Sequence, residues 1–510
     1  MLVLSTPQAA AQWLRSQASG SLVADSRAVQ TGDAFLAWPG GTCDPRNYVA
    51  MALQHGAGAC LVEQSGVDEF SWNNTRVAAY AGLKADAGAI ASAFFDTPSE
   101  ALAVIAVTGT NGKTSTAWWL AQALSALPDS QALPCGLIGT LGVGRASVAG
   151  CPVKPEDLSL VATGFTTPDP VLLQHTLADF AAQGLRACAM EASSIGLEEQ
   201  RMAGTHIRVA VFTNFTQDHL DYHGSMQAYW ASKARLFAWP GLEHAVINVD
   251  DAQGAELAAS LAAQGLDVWS TSTRQDARLI ARAMVYSQAG LQFEVHEGHD
   301  SALVATRMIG SYNVANLLGV IGAMRSLGVP LQDAVAMCSR LHPVPGRMEC
   351  LIEPAAPLVA VDYAHTPDAL GQALDALRSL AEQRGGRLWC VFGCGGDRDN
   401  SKRPMMGALA AQKADHVIVT SDNPRSEKQE AIIAQILLGM PQCDAVLVQS
   451  DRAQAIAQAV SQAQAKDVIL LAGKGHEATQ EIAGKKLEFS DRSHAAAALR
   501  MRVTATGGTL

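Results

Sequence analysis

The sequence predicts an α/β protein of three domains: an N-terminal α/β module, a central phosphate-loop sheet and a C-terminal Rossmann-like domain. Three observations carry this. From Leu102, an apolar run, a glycine loop and a helical pattern follow one another. In the last third, five apolar runs start about 22–30 residues apart, the spacing of βα units in a largely parallel sheet. The chain has 510 residues, more than one domain at roughly 100–200 residues each.

Composition narrows the class. Apolar residues are 48% and charged residues 17% of the chain, so a packed fold is predicted rather than disorder. The formal charge of -11 argues against nucleic-acid binding through bulk charge, while a local basic pocket remains open. Met1 to Gly20 lacks the basic-then-apolar pattern of a signal peptide. No apolar stretch reaches the about 18 residues of a membrane span, so no membrane partner is expected. The 10 cysteines are scattered with no CxxC pair, which predicts reduced thiols rather than a zinc site.

The first domain is predicted over residues 1–98. Strand-like runs at Leu22–Ala24, Ala34–Trp38, Cys60–Glu63 and Val77–Tyr80 are punctuated by Gly and Asp, with a helix-like stretch at Tyr48–His55. The second domain spans 99–343. It opens with the strand Leu102–Val107, and the helix after the loop is marked by Trp119, Leu120, Ala123, Leu124 and Leu127. Further strands are expected at Ala187–Met190 and Val209–Phe212. The run from His342 to Arg347, with two prolines, cannot continue a helix. The third domain, 344–510, carries strands at Leu358–Val361, Leu388–Phe392, His416–Thr420, Ala445–Val448 and Val468–Leu471, and a tail from Val503 expected to fray.

The loop Gly109-Thr110-Asn111-Gly112-Lys113-Thr114-Ser115 carries the strongest chemistry. Its glycines let backbone N–H groups approach phosphates, Lys113 reaches the β/γ-phosphates, and the Thr114 hydroxyl suits Mg²⁺. Val107 stands where the strict pattern has glycine, so the loop is a variant. Glu191, at a strand end in the same domain, suits a second metal contact. Asn214 to Gly224 packs Asp218, His219, Asp221 and His223 after another strand, a dense metal-capable group. Lys233 lies among large apolar neighbours. If buried, its amine would lose its charge more readily and could take up CO₂ as a carbamate.

Four polar motifs follow strands of the third domain: Asp362 to Asp368, Gly393 to Asp399, Asp422-Asn423-Pro424-Arg425 and Gly473 to Glu477. Ligands bind at the carboxyl ends of such strands. Arg398 and Arg425 offer forked donors for a carboxylate, and Asp422 and Glu477 suit an ammonium. A pocket with both signs fits an amino acid.

These motifs and their order resemble the Mur ligase family, the ATP-dependent amide-bond-forming enzymes of peptidoglycan synthesis. The resemblance covers nearly the whole chain. It also takes in Asp25-Ser26-Arg27, Gly32 to Gly40, Thr166-Thr167-Pro168, Gly310 to Asn316 and Pro345 to Glu349. It implies that the first domain binds a UDP-muramoyl substrate, with Ser26, Gly41, Thr42 and Cys43 near the nucleotide. Thr166, Thr167, Ser193 and Arg201 would contact the muramoyl peptide. Thr114 and Glu191 would serve one Mg²⁺, and His219 with carbamylated Lys233 a second. Asn316, Arg347, Asp362 and His365 would lie on the ATP side. Arg398, Asp422, Asn423, Pro424, Arg425, Gly473 and Glu477 would hold the incoming amino acid. Lys113, Glu191, His219 and Lys233 form the implied catalytic set.

The implied reaction adds meso-diaminopimelate to the D-glutamate of UDP-N-acetylmuramoyl-L-alanyl-D-glutamate through an acyl phosphate, in the cytoplasm, by a monomer. The form Asp422-Asn423-Pro424-Arg425 is the one seen with diaminopimelate. Lysine lacks the far carboxylate and would leave Arg425 unpaired. Lysine addition is the nearest alternative, and a nucleotide-dependent switch ATPase is the alternative from another class. Folylpolyglutamate synthetase is a more distant relative that lacks the Asp-Ser-Arg domain. Three positions depart from the family: Ile195 replaces a His, Phe165 an Asn, and Glu199 a Gln. All three bear on muramoyl-peptide contacts.

Overall fold

The computed structural model describes residues 1–40, 43–146, 159–287, 290–440 and 446–506. Three principal sheets organise the chain, and the α/β class with parallel sheets is the one the sequence predicts.

The first sheet has five parallel strands in the order Leu2–Leu4, Val77–Tyr80, Ala59–Glu63, Ala34–Ala37 and Leu22–Val23. The short strand Leu2–Leu4 and the helix Pro7–Gln17 were not among the expected elements. That helix has both start signals: Thr6 Oγ1 accepts from the Ala9 N–H at 3.2 Å, and Pro7 fills the first helical position. It packs with the helix Leu83–Phe94 on one face of the sheet, while Val49 and Ala52 cover the other.

The central sheet has eleven strands, mixed rather than wholly parallel. Its parallel middle runs Asp267–Ser272, His244–Asn248, Val209–Phe212, Ala103–Thr108, Ala187–Glu191, Cys135–Gly139. The edges turn antiparallel: Gly142–Arg145 and Ser159–Val161 on one side, and on the other Leu279–Ser287, itself parallel to Asp267–Ser272, begins a meander with Gly290–Glu297 and Asp300–Thr306. Along Ala103–Thr108 the side chains alternate between two cores. Ile105 and Val107 meet Trp118, Leu120 and Leu317, whereas Val104 and Ala106 meet Leu173, Leu177 and Met190. With both faces covered, the central strands read as unbroken apolar runs.

The third sheet has six strands, Glu349–Leu351, Leu358–Asp362, Val468–Ala472, Leu388–Phe392, His416–Val419 and Val446–Val448, parallel except for the first. Ala445, at the start of one expected strand, lies outside the described residues. A two-stranded ribbon, Thr479–Ile482 with Lys485–Glu488, follows the last parallel strand. The tail expected to fray from Val503 is instead helical to Thr506, as part of Asp491–Thr506, and the residues beyond are outside those described. Among the described residues no helix is long and apolar enough to cross a membrane.

Candidate active site

The phosphate loop leaves the strand Ala103–Thr108 and ends at the N-terminus of the helix Lys113–Ser125, where backbone N–H groups are unpaired and the helix dipole favours anions. Gly109 has φ +144, and a Cβ there would sit 1.9 Å from Thr213 Oγ1, so only glycine fits. The loop is braced from the neighbouring strand end. Asn111 N–H donates to Asn214 Oδ1 at 2.9 Å, Asn214 Nδ2 donates back to Asn111 O at 3.1 Å, and Thr216 N–H donates to Thr110 Oγ1 at 3.0 Å. Asn214 and Thr216, read in the sequence as part of a metal-capable run, here shape the loop.

Lys113 Nζ donates to Gly109 O at 2.9 Å and Thr110 O at 2.8 Å, and burial lowers its pKa. Thr114 Oγ1 donates to Glu191 Oε2 at 3.0 Å. Glu191 ends its strand, is 1% exposed, and accepts from the Thr140 N–H at 2.7 Å. Arg347 reaches Thr114 Oγ1 at 3.2 Å and stacks 4.1 Å over the Tyr363 ring. Ser115 is buried in the same turn. Asn316, on the helix Tyr312–Ser326, is hydrogen-bonded to Asn313 at 3.1 Å and faces Gly112.

Lys233 is buried. Its Nζ donates to Gly109 O at 2.7 Å and lies 4.4 Å over the Tyr229 ring. Burial, then the charge of Lys113, lowers its pKa well below the usual value. His219 is the N-cap of a short helix, with φ +53. Its pKa is also lowered, by burial first and then by Lys113 and Lys233. Asp218 lies 3.5 Å from His219, 3.8 Å from His365 Nε2 and 3.9 Å from Lys402 Nζ. Burial pushes its carboxyl up, but the hydrogen bond from His365 and the electrostatic pull of His365, His219 and Lys402 outweigh it and hold the group far below the usual carboxylate range. Asp362, raised by burial against the opposing charge of Arg347, accepts from the Met348 N–H at 2.6 Å.

Beside Glu191, four expected muramoyl-peptide residues cluster. Thr166 Oγ1 is 3.1 Å from Thr140 Oγ1, Thr167 Oγ1 donates to Glu191 O at 2.8 Å and lies 3.1 Å from Ser193 Oγ, and Arg201 donates to Thr167 O at 3.0 Å. Two departures from the family meet here: Phe165 stacks 4.9 Å from the Arg201 guanidinium, and Glu199 pairs with Lys84 of the first sheet's helix at 2.5 Å. Ser26 is buried after Leu22–Val23 and Cys43 is exposed. Gly41 and Thr42 lie outside the described residues.

On the third sheet, Asp422, Asn423 and Pro424 are buried, and Asn423 Nδ2 donates to Glu477 Oε2 at 2.7 Å. Lys474, fully buried, donates to the same Glu477 oxygen at 2.9 Å, so this carboxylate is already shared with a cation. A Cβ on Gly473 would lie 2.4 Å from Asp422 Oδ2. Arg425 donates to Gly396 O at 2.6 Å, and Arg398 is exposed. The two expected groups of third-domain residues therefore separate. Arg347 reaches Thr114 of the phosphate loop and His365 lies beside Asp218, while Asn423 bonds Glu477 and Arg425 bonds Gly396, forming a second cluster. Thr140, Lys402 and Lys474 were missed as site residues. Lys402 and Lys474 stand beside or inside motifs already singled out, which was a usable signal; Thr140 had none. A cavity of about 750 Å³ at the domain junction, lined by Met308, Ile309, Pro343 and Leu380, contains no expected site residue.

A phosphate loop on one sheet, capped by cationic and acidic groups from another, defines a nucleotide-dependent enzyme whose domains share one site. Residues 107–324 match the Mur ligase middle domain and 346–475 match the Mur ligase glutamate ligase domain. The chain belongs to the Mur ligase family. It is 57% identical to a protein of Acidovorax sp. (strain JS42) named UDP-N-acetylmuramoyl-L-alanyl-D-glutamate--2,6-diaminopimelate ligase, covering 98% of each. A protein of the same name from Janthinobacterium sp. (strain Marseille) is 47% identical, covering 99% of each. A solved structure of a ligase of that name matches with TM-score 0.63 and 36% identity, over 94% of this chain and 95% of that one.

Proposed function

We propose that the chain is an ATP-dependent ligase that joins meso-diaminopimelate to the D-glutamate of UDP-N-acetylmuramoyl-L-alanyl-D-glutamate; its relatives are named for a ligase of that nucleotide substrate and 2,6-diaminopimelate. The observation that carries the reading is the two-signed cluster on the third sheet, where Arg425 stands with Asn423 and Glu477. It suits an amino acid with a carboxylate at each end. The reaction belongs to cytoplasmic peptidoglycan precursor synthesis.

The chemical difficulty is a carboxylate's poor reactivity as an acyl donor. Transfer of the ATP γ-phosphoryl group to the D-glutamate γ-carboxylate removes it. The loop N–H groups and Lys113 neutralise the transferring charge. Arg347 reaches the same point from the other domain. That transfer leaves ADP; the neutral amine of diaminopimelate then attacks the acyl carbon, and the tetrahedral intermediate expels inorganic phosphate as the nitrogen gives up a proton, leaving the amide. Asp362 and His365 orient the nucleotide side, and domain contact keeps water from the acyl phosphate.

The donor set at the loop fits Mg²⁺. Thr114 and Glu191 offer a hydroxyl and a carboxylate side by side. Among the described residues no three His, Cys, Asp or Glu side chains converge on a metal, so phosphate oxygens and water would complete the shell, as Mg²⁺ prefers. His219 and Lys233 would hold a second ion once Lys233 is carbamylated; its burial and lowered pKa favour the neutral amine that this needs. Bound Mg²⁺ supplies charge stabilisation for phosphoryl transfer. On this reading residues 1–98 bind the UDP-muramoyl substrate, 99–343 bind ATP and 344–510 bind the amino acid.

The test is phosphate release with ATP, Mg²⁺ and the UDP-muramoyl dipeptide, comparing meso-diaminopimelate, lysine and no amino acid. Release confined to diaminopimelate, with a tripeptide product, supports the reading. Release with lysine overturns the specificity, and equal release in all three overturns the ligase.

A further inference from the structure

Arg398 and Arg425 sit on two separate loops, yet the loops touch. Gly396 N–H donates to Asn423 O at 2.9 Å, and a Cβ on Gly396 would lie 2.0 Å from Pro424 O. Beneath the contact lies Arg403, 1% exposed, on the helix Lys402–Lys413. Its guanidinium forks onto Glu427, with Nη1 to Oε2 at 2.9 Å and Nη2 to Oε1 at 2.8 Å, and Nη2 also donates to Gly395 O at 3.0 Å. Glu427 Oε1 in turn accepts from the Asp397 N–H at 2.6 Å. Asp397 closes the ring, accepting from the Ser426 N–H at 3.1 Å and the Ser426 hydroxyl at 2.6 Å.

The bonds bracket two unusual backbones. Asp397 has φ +53 and Arg425 φ +51, in the left-handed region that residues with a Cβ seldom occupy. Each is next to or within a loop that presents a guanidinium. A forked Arg–carboxylate pair fixes direction as well as distance, which a single ammonium does not.

We propose that Glu427 and Arg403 are positioning residues that lock these two loops together and thereby set the spacing of Arg398 and Arg425, on which selection of an amino acid with a distal carboxylate depends. The inference rests on the proposed function and deepens it: neither residue is assigned to touch substrate, and both act through the arginines. Arg425 stays pinned to the ribbon through Glu481 O and the Ala483 N–H, so loosening the lock lets the Asp397–Arg398 loop shift against it, and the far carboxylate loses the matched pair of donors.

The test is steady-state kinetics of the full chain with ATP, the UDP-muramoyl dipeptide and either meso-diaminopimelate or lysine. Wild type is compared with Glu427→Gln, Arg403→Lys and Arg403→Met. Glu427→Gln is expected to raise KM for diaminopimelate about tenfold, as loss of a charge-assisted fork implies. The ratio of kcat/KM for diaminopimelate over lysine falls with it. KM for ATP and for the dipeptide stay within about twofold, since those contacts lie elsewhere. Arg403→Lys, which keeps the charge without the fork, falls between wild type and Arg403→Met.

Unchanged KM and preference in Glu427→Gln overturn the proposal, as does a uniform loss across all three substrates, the mark of a merely structural role. Ser426→Ala, at the exposed edge of the ring, is read in the same way and decides the matter if Glu427→Gln loses its fold. A wild type that ignores diaminopimelate overturns the proposed function itself, and with it this inference.

Discussion

Asn111, in the phosphate loop, donates its side-chain amide to Asp368 at 2.9 Å, across the junction between the central and third sheets. Asp368 lies in the first turn of the helix Pro367–Gln383, so the nucleotide loop feels the third sheet's position directly. Asp368→Ala should lower kcat/KM for ATP about tenfold, roughly 1.4 kcal/mol, the size of one part-buried hydrogen bond to a carboxylate. KM for the amino acid should hold. Steady-state titration of each substrate reads this, and an unchanged ATP dependence would make the contact incidental.

Lys233 has no exposed route to an ordinary surface role. Lys233→Ala is expected to cut activity by at least about 100-fold, the scale of losing one preorganised charge in a phosphoryl-transfer site. Added short carboxylic acids should restore part of it by filling the space of a carbamate. Full activity in the alanine variant would sink the assignment.

Arg425→Ala tests specificity. The kcat/KM for diaminopimelate should fall about 100-fold, near 3 kcal/mol for a substrate carboxylate left without its partner. Turnover with lysine should not fall in parallel. Competition between the two amino acids in one tube gives the ratio directly.

Thiol reactivity follows burial. Cys60, Cys135, Cys338, Cys350, Cys390 and Cys394 are pushed up to about 12 by burial, so at pH 8 almost none is thiolate. Cys43 is exposed. Iodoacetamide at pH 8 should therefore label Cys43 first among the described cysteines. The UDP-muramoyl substrate should slow that labelling if this loop lines its site. Peptide mapping by mass spectrometry checks both.

Arg452 and Asp491 form an ion pair with both side chains fully buried, Nη2 to Oδ2 at 2.6 Å. Arg452 also donates to Ser421 O at 3.3 Å and Ala472 O at 2.8 Å, the carbonyls just before Asp422 and Gly473. Asp491→Ala leaves that guanidinium uncompensated and should cost about 3–5 kcal/mol. A urea midpoint that does not move would refute this.

Some of the fold was readable because burial leaves its mark locally. Val77–Tyr80, Val209–Phe212 and Leu388–Phe392 are covered on both faces and stand out as apolar runs. The meander from Leu279 to Thr306 did not. In it Leu291, Phe293 and Val295 are buried while Gln292 and Glu294 are exposed, an alternation that a search for continuous runs passes over. The phosphate loop is seven contiguous residues and declares itself. The bonds that hold the second cluster join residues far apart: Arg403 to Glu427 spans 24 positions and Arg452 to Asp491 spans 39. Each of these four looks, in sequence, like an ordinary surface charge.

The ion pair at Asp491 also governs timing. Asp491 opens the helix Asp491–Thr506, and its partner anchors the strand ends that carry Asp422 and Gly473. A ribosome making this chain delivers every residue named in the second cluster before it delivers the helix that steadies them. Domains fold as they emerge, N-terminal first. The phosphate loop therefore has its scaffold early, whereas the second cluster stays provisional until the final turns of helix dock. A premature stop just short of Asp491 would spare the whole inventory of substrate-facing groups and still leave the third sheet with an unpaired buried guanidinium at the base of its amino-acid cluster.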